Sequence, residues 1–148
     1  MGAGIARVAL PACALGLAVG VYAQSAVAYK ARLSPVPMDL AMAANIAGSG
    51  SVTATLTGTK LSVAGTFEGL KSPATVVQIR KGRPGVRGAA ILDLKATGGT
   101  SGTVAGSLDL TSQQVADLQM GWLYVQLHSE RAPDGNLWGW LTPQENKR

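Results

Sequence analysis

Apolar and polar residues alternate in short runs over most of this chain. Val52, Ala54 and Leu56 share one side of a strand, and Thr53, Thr55 and Thr57 share the other. Gly58-Thr59-Lys60 reads as a turn, after which Leu61, Val63, Gly65 and Phe67 alternate in a second strand. Thr75 to Arg80 places Val77 and Ile79 on one face and Val76, Gln78 and Arg80 on the other. Ala89 to Leu94 and Thr103 to Leu110 read as further strands, separated by a glycine-rich turn at residues 98–102. Thr111-Ser112-Gln113-Gln114 is a capping box and predicts a short helix, with Val115, Leu118 and Met120 toward the core and Gly121 as its stop. The chain then closes in a ribbon. Leu123, Val125 and Leu127 face one way, and Trp122, Tyr124, Gln126 and His128 the other. Pro133-Asp134-Gly135 has turn chemistry. In the next strand Leu137, Gly139 and Leu141 oppose Trp138 and Trp140. The pattern predicts an all-β fold, an antiparallel Greek-key-like β-sandwich with one short helix.

The first fifty residues read differently. Arg7 precedes an uncharged run from Val8 to Tyr29, and Lys30 and Arg32 come directly after it. A basic start, an apolar stretch and the small-x-small boxes Val21-Tyr22-Ala23 and Ala26-Val27-Ala28 match a secretory signal cut after Ala23 or after Ala28. The competing reading is a retained inner-membrane anchor helix over residues 8–29. Either segment would export the β-domain behind it. The expected organisation is a signal peptide or anchor over 1–30, a linker over 31–37, a β-domain over 38–143 and a polar tail over 144–148. Met38 to Ala47 reads as an edge strand or a short helix.

Composition narrows the function. Charged residues are 14% of the chain and the net charge is +5, modest for a nucleic-acid binder and without a recognition motif. The one cysteine, Cys13, lies in the leader, so cysteine usage does not define the compartment. The carboxylates are scattered and no spacing pairs an acid with a base, so an enzyme is not expected. No cofactor is expected.

Several motifs carry a family resemblance. Gly65-Thr66-Phe67-Glu68-Gly69-Leu70 with Ser72-Pro73 and Thr75 is one. Leu110, Thr111, Gln114, Leu118 and Gly121 are a second. Gly121, Tyr124, Val125 and His128, then Pro133, Gly135, Gly139 and Leu141, are a third. In this order, from about Gly50 to Leu141, they resemble the chordin-type (CHRD) domain. The resemblance implies a non-catalytic extracellular module. It also implies a strand that in many members reads His-Ile-His, beside the strand that carries the last histidine. Here those two positions are Gln78 and Arg80, and only His128 remains. An arginine in a ligand position repels a cation, so no metal is expected and His128 reads as a hydrogen-bonded lock on the ribbon.

Two features are left to carry binding. Residues 80–88 form a loop with Arg80, Lys81, Arg83 and Arg87 and no acid. It is either a solvated basic loop or a dock for anionic lipid head groups or an acidic protein. Trp122, Trp138 and Trp140 share the non-core face of the ribbon. Either residues 38–47 or the C-terminal tail covers them, or they form an interface. The expected function is an exported accessory subunit, docked through these tryptophans and this loop on the periplasmic face of a membrane protein complex. The alternative is a free periplasmic or secreted protein that binds a ligand or metal around His128.

Overall fold

The computed structural model describes residues 25–145, together with Gly2 and Gly4. The strands are β1 (Ala26–Pro35), β2 (Ser49–Thr57), β3 (Lys60–Glu68), β4 (Ala74–Lys81), β5 (Ala90–Ala96), β6 (Gly102–Asp109), β7 (Leu123–Ser129), β8 (Ala132–Trp140) and the short β9 (Thr142–Pro143). One helix, α1 (Ser112–Gln119), precedes β7. The neighbours run β2-β3-β6-β5-β4-β7-β8, every pair antiparallel. β3 to β6 form a Greek key, since β6 returns to lie beside β3.

The sheet does not stay open, and here the expected sandwich is corrected. β1 bonds β2 from Ala26↔Thr57 to Leu33↔Gly50. Its other edge bonds β9 at Tyr29↔Pro143 and Lys30↔Thr142, and β8 at Ser34↔Trp138 and Pro35↔Leu137. The β8 and β9 pairings keep one register along β1, each step forward on β1 matched by one step back on the partner. An eight-strand closed barrel results. Alternation alone does not separate the two architectures, because both bury one face of each strand.

The inward positions are those that the alternation marks. Leu33, Leu61, Val77, Ile79, Leu123, Val125, Leu127, Leu137 and Leu141 have essentially no exposed surface, and they form one contiguous core with Tyr29, Val52, Phe67 and Val104. Such a barrel interior is filled by side chains rather than left as a channel. Closure also needs β1 and β8 to approach closely. A Cβ at Gly139 would fall on the Arg32 carbonyl, so glycine is required there. The capping box at Thr111 is present: its hydroxyl accepts from the Gln114 amide at 3.1 Å, and Gln114 accepts from the Thr111 amide at 2.9 Å. Leu118 is buried, but Met120 is 62% exposed and does not join the core.

Other boundaries shift. Residues 31–37, expected as a linker, lie mostly in β1, and the barrel begins at Ala26 rather than at residue 38. Two prolines hid a strand whose inward residues, Tyr29, Ala31 and Leu33, alternate cleanly. The leader over 1–30 divides likewise. Its residues 5–24 lie outside the described residues, while Ala26–Tyr29 are strand, so a helix through all of 8–29 is excluded. Cleavage after Ala23 also lies outside the described residues. Cleavage after Ala28 would remove three paired strand residues, including the carbonyl that accepts the Gln144 amide at 2.8 Å. Met38–Ala47 is neither strand nor helix but a set of turns, with Asp39 accepting the Met42 amide at 2.9 Å. The final hairpin turns at Glu130–Arg131, and Pro133-Asp134-Gly135 lies within β8. There the register slips between Leu127↔Leu137 and Ser129↔Ala132, so the turn chemistry makes a bulge instead.

Burial of Tyr29 raises its phenol above the usual value of 10.0. The folded barrel therefore keeps this proton to higher pH than the unfolded chain does. The associated stability is complete below pH ~10 and is lost as the pH rises through the folded-state value. Denaturant midpoints measured at about pH 9 and about pH 11 are expected to fall more steeply for the native chain than for Tyr29→Phe.

Candidate functional site

The outer wall of β4, β7 and β8 carries most of the residues that the sequence singles out. Tyr124 points outward, yet it has no exposed surface. The reason is the loop of residues 82–88, which folds back onto the wall as a strap. Its base is closed by the Lys81 amide donating to the Ala89 carbonyl at 3.0 Å and the Gly82 amide donating to the Trp122 carbonyl at 2.8 Å. The Trp140 indole donates to the Gly82 carbonyl at 2.9 Å. The Tyr124 hydroxyl accepts from the Gly88 amide at 2.9 Å, and the Arg80 guanidinium donates to the Gly88 carbonyl at 2.8 Å. Gly88 is required, because a Cβ there would overlap the Lys81 carbonyl.

Beneath the strap the rings pack on one another. Tyr124 stacks on Trp140 at 4.5 Å between centroids, and Trp138 meets Trp140 edge-on at 4.7 Å. Such pairs contribute about 1 kcal/mol each beyond their area. Trp138 also packs on the small cluster of Val36, Ile46 and Ala132, which Met42 joins. Residues 38–47 thus supply part of the cover. Of the C-terminal tail, Gln144 bonds β1, and residues 146–148 lie outside the described residues.

The basic residues are unequal. Arg80 is committed to the Gly88 carbonyl and to the side-chain amide oxygen of Gln78 at 3.0 Å. Lys81 pairs at 2.9 Å with Asp117 of α1, whose side chain is 3% exposed and which also accepts from Gln113 at 3.1 Å. Arg87 reaches the Asp134 carbonyl at 3.4 Å from an exposed position. Arg83 lies over the Trp122 ring, 5.3 Å from its centroid. Trp122 is half-buried, and with Ile91, Ala89, Gly82, Lys81 and Arg83 it lines a shallow groove of about 380 Å³. Ile91 and Ala89 carry no chemical signature in the sequence. Asp117 carries one, an acid beside Leu118 on the inward side of an amphipathic helix.

His128 is part of the bulge. A carbonyl only accepts, so the 2.8 Å contact to Pro133 makes Nδ1 the donor. Nε2 is then the acceptor for Gln126, whose amide nitrogen lies 3.4 Å away and also donates to the Asp134 carbonyl at 3.1 Å. β4 and β7 are neighbours, with Gln78 opposite Gln126 and Arg80 opposite Tyr124. Positions 78, 80 and 128 therefore share the wall, as amide, guanidinium and imidazole. Among the described residues no group of three or more His, Cys, Asp or Glu is placed to hold a metal ion, and no helix is long and apolar enough to cross a membrane.

The fold defines the class, a small closed all-β barrel whose interior is filled by side chains. Within that class the chain belongs to the CHRD domain family, whose model matches residues 29–141, from β1 to the end of the ribbon. No curated protein and no solved structure matches the chain.

Removing the Lys81 cation strands a buried carboxylate. Lys81→Met is expected to lower stability by about 2 kcal/mol, read from chemical denaturation. Lys81→Met with Asp117→Leu is expected to regain part of that loss, because the unpaired charge is then gone.

Proposed function

We propose that this chain is an exported, non-catalytic binding module, an accessory subunit on the periplasmic face of a membrane protein complex, and that it docks through the groove at Trp122 and Arg83. The observation that carries the reading is the state of the three indoles. All three are half-buried, but Trp138 and Trp140 pack on Tyr124 and on each other, whereas Trp122 carries the Arg83 cation and borders an apolar groove. The filled barrel supports surface binding over an internal ligand. The membrane setting rests on the uncharged sequence of residues 8–24. A ligand or metal at His128 is the weaker reading, because both ring nitrogens already have neighbours at bonding distance.

Hot-spot tryptophans contribute about 2 kcal/mol or more to an interface, roughly a 30-fold effect on affinity. Affinity purification of the tagged chain from its native membranes is expected to recover a partner with the native protein and to lose most of it with Trp122→Ala or Arg83→Glu. Equal recovery with both variants would remove this interface.

A further inference from the structure

We infer that the groove between Trp122 and the strap seats the anionic phospholipid head groups of a bilayer. This rests on the reading of an exported, membrane-associated module and deepens it by naming what the groove touches.

Charge is the first ground. Residues 80–92 hold Arg80, Lys81, Arg83 and Arg87 and no carboxylate. Arg83 and Arg87 are exposed, and the Lys81 side chain remains 42% exposed beside Asp117. The groove therefore presents a positive rim, which favours an anionic surface.

The second ground is the apolar content. Trp122, Ile91 and Ala89 line the groove. Val86 of the strap and Met120 before Trp122 are 56% and 62% exposed. An acidic protein surface would satisfy the arginines but gives no reason for two aliphatic side chains held in solvent. An indole with cations and aliphatic neighbours suits the boundary between head groups and acyl chains, where the polar edge stays wet and the ring does not.

Topology is the third. β4 ends at Lys81 and β7 begins at Leu123, and the Leu141 amide donates to the Leu123 carbonyl at 3.0 Å. Two residues on, Pro143 pairs with Tyr29, and Gln144 bonds Ala28. The start of β1 thus lies at the same end of the barrel as the groove. The opposite end also exposes Met38 and Leu40, but these flank Asp39, which an anionic surface repels.

The test uses the full exported chain with vesicles of phosphatidylcholine, or of phosphatidylcholine with roughly one-third phosphatidylglycerol, both carrying acyl-brominated lipid. The emission of Trp122 is read as the native signal minus that of Trp122→Phe. It works whether or not the leader is retained, because it reports the ring rather than the partition of the chain. Quenching is expected with the anionic vesicles. It should weaken at about 0.5 M salt, and Arg83→Glu should lower vesicle affinity about tenfold. Equal quenching in neutral vesicles would overturn the head-group assignment. No quenching, with partner recovery still dependent on Trp122, would overturn the lipid seat and leave the protein interface standing. No quenching and no such dependence would remove both.

Discussion

Backbone hydrogen bonding leaves any open sheet with two unpaired edges, and in this protein one strand joins them. β1 bonds β2 along its first eight residues and the β8–β9 strand along its other side. Without it, the edges of β2 and β8 would stand exposed as templates for further pairing. With it, Tyr29, Ala31 and Leu33 fill the interior and the core becomes continuous. Gly139 makes this possible, since only a missing Cβ lets β8 come up to the Arg32 carbonyl. The family's span from residue 29 agrees with this, because the domain includes most of its closing strand.

A filled barrel transfers all specificity to the outside, and there the β4–β7–β8 wall differs from the rest. The outward sides of β2, β3 and β6 carry mainly threonine, serine and alanine. The wall instead carries Tyr124, Trp138, Trp140, Gln126 and His128, and the strap covers much of it. Its hydrogen bonds fall on backbone groups, which explains why a segment rich in glycine and proline keeps one conformation over the rings. The bulge in β8 is held in the same manner: Gln126, His128 and Arg87 are directed at the carbonyls of Pro133 and Asp134 that a regular ladder would have paired.

What remains open is small and chemically mixed. Arg80 and Lys81 serve the fold, one as a tie to the strap and the other as counter-ion to a buried carboxylate. Arg83 is directed at a ring, and Arg87 reaches the bulge from solvent. A cation over an indole at the surface contributes only about 0.5–1 kcal/mol to stability. That is too little to explain the arrangement as a device for holding the fold, and it leaves the pair available to something outside the chain. The proposed docking reading uses this small residue of unsatisfied surface.

The sequence by itself determined the strands from β2 to β8, their inward faces, the helix cap and the family, because these depend on periodicity and short-range hydrogen bonding. Leu123, Val125 and Leu127 were legible as core, and Thr111 and Gln114 as a cap, from spacing alone. Gln78 and Arg80 beside His128 were legible as a wall of mixed polarity once β4 and β7 were paired. Tertiary structure alone decided that β1 closes a barrel, since an alternating strand fits a sandwich edge or a barrel seam equally well. It alone decided which tryptophan borders the groove and which basic residues are occupied. Those outcomes depend on the strap meeting Tyr124, on α1 bringing Asp117 to Lys81, and on a hairpin turning at Glu130 rather than at Pro133. The first two join residues far apart in the chain, and no local pattern encodes such a distance.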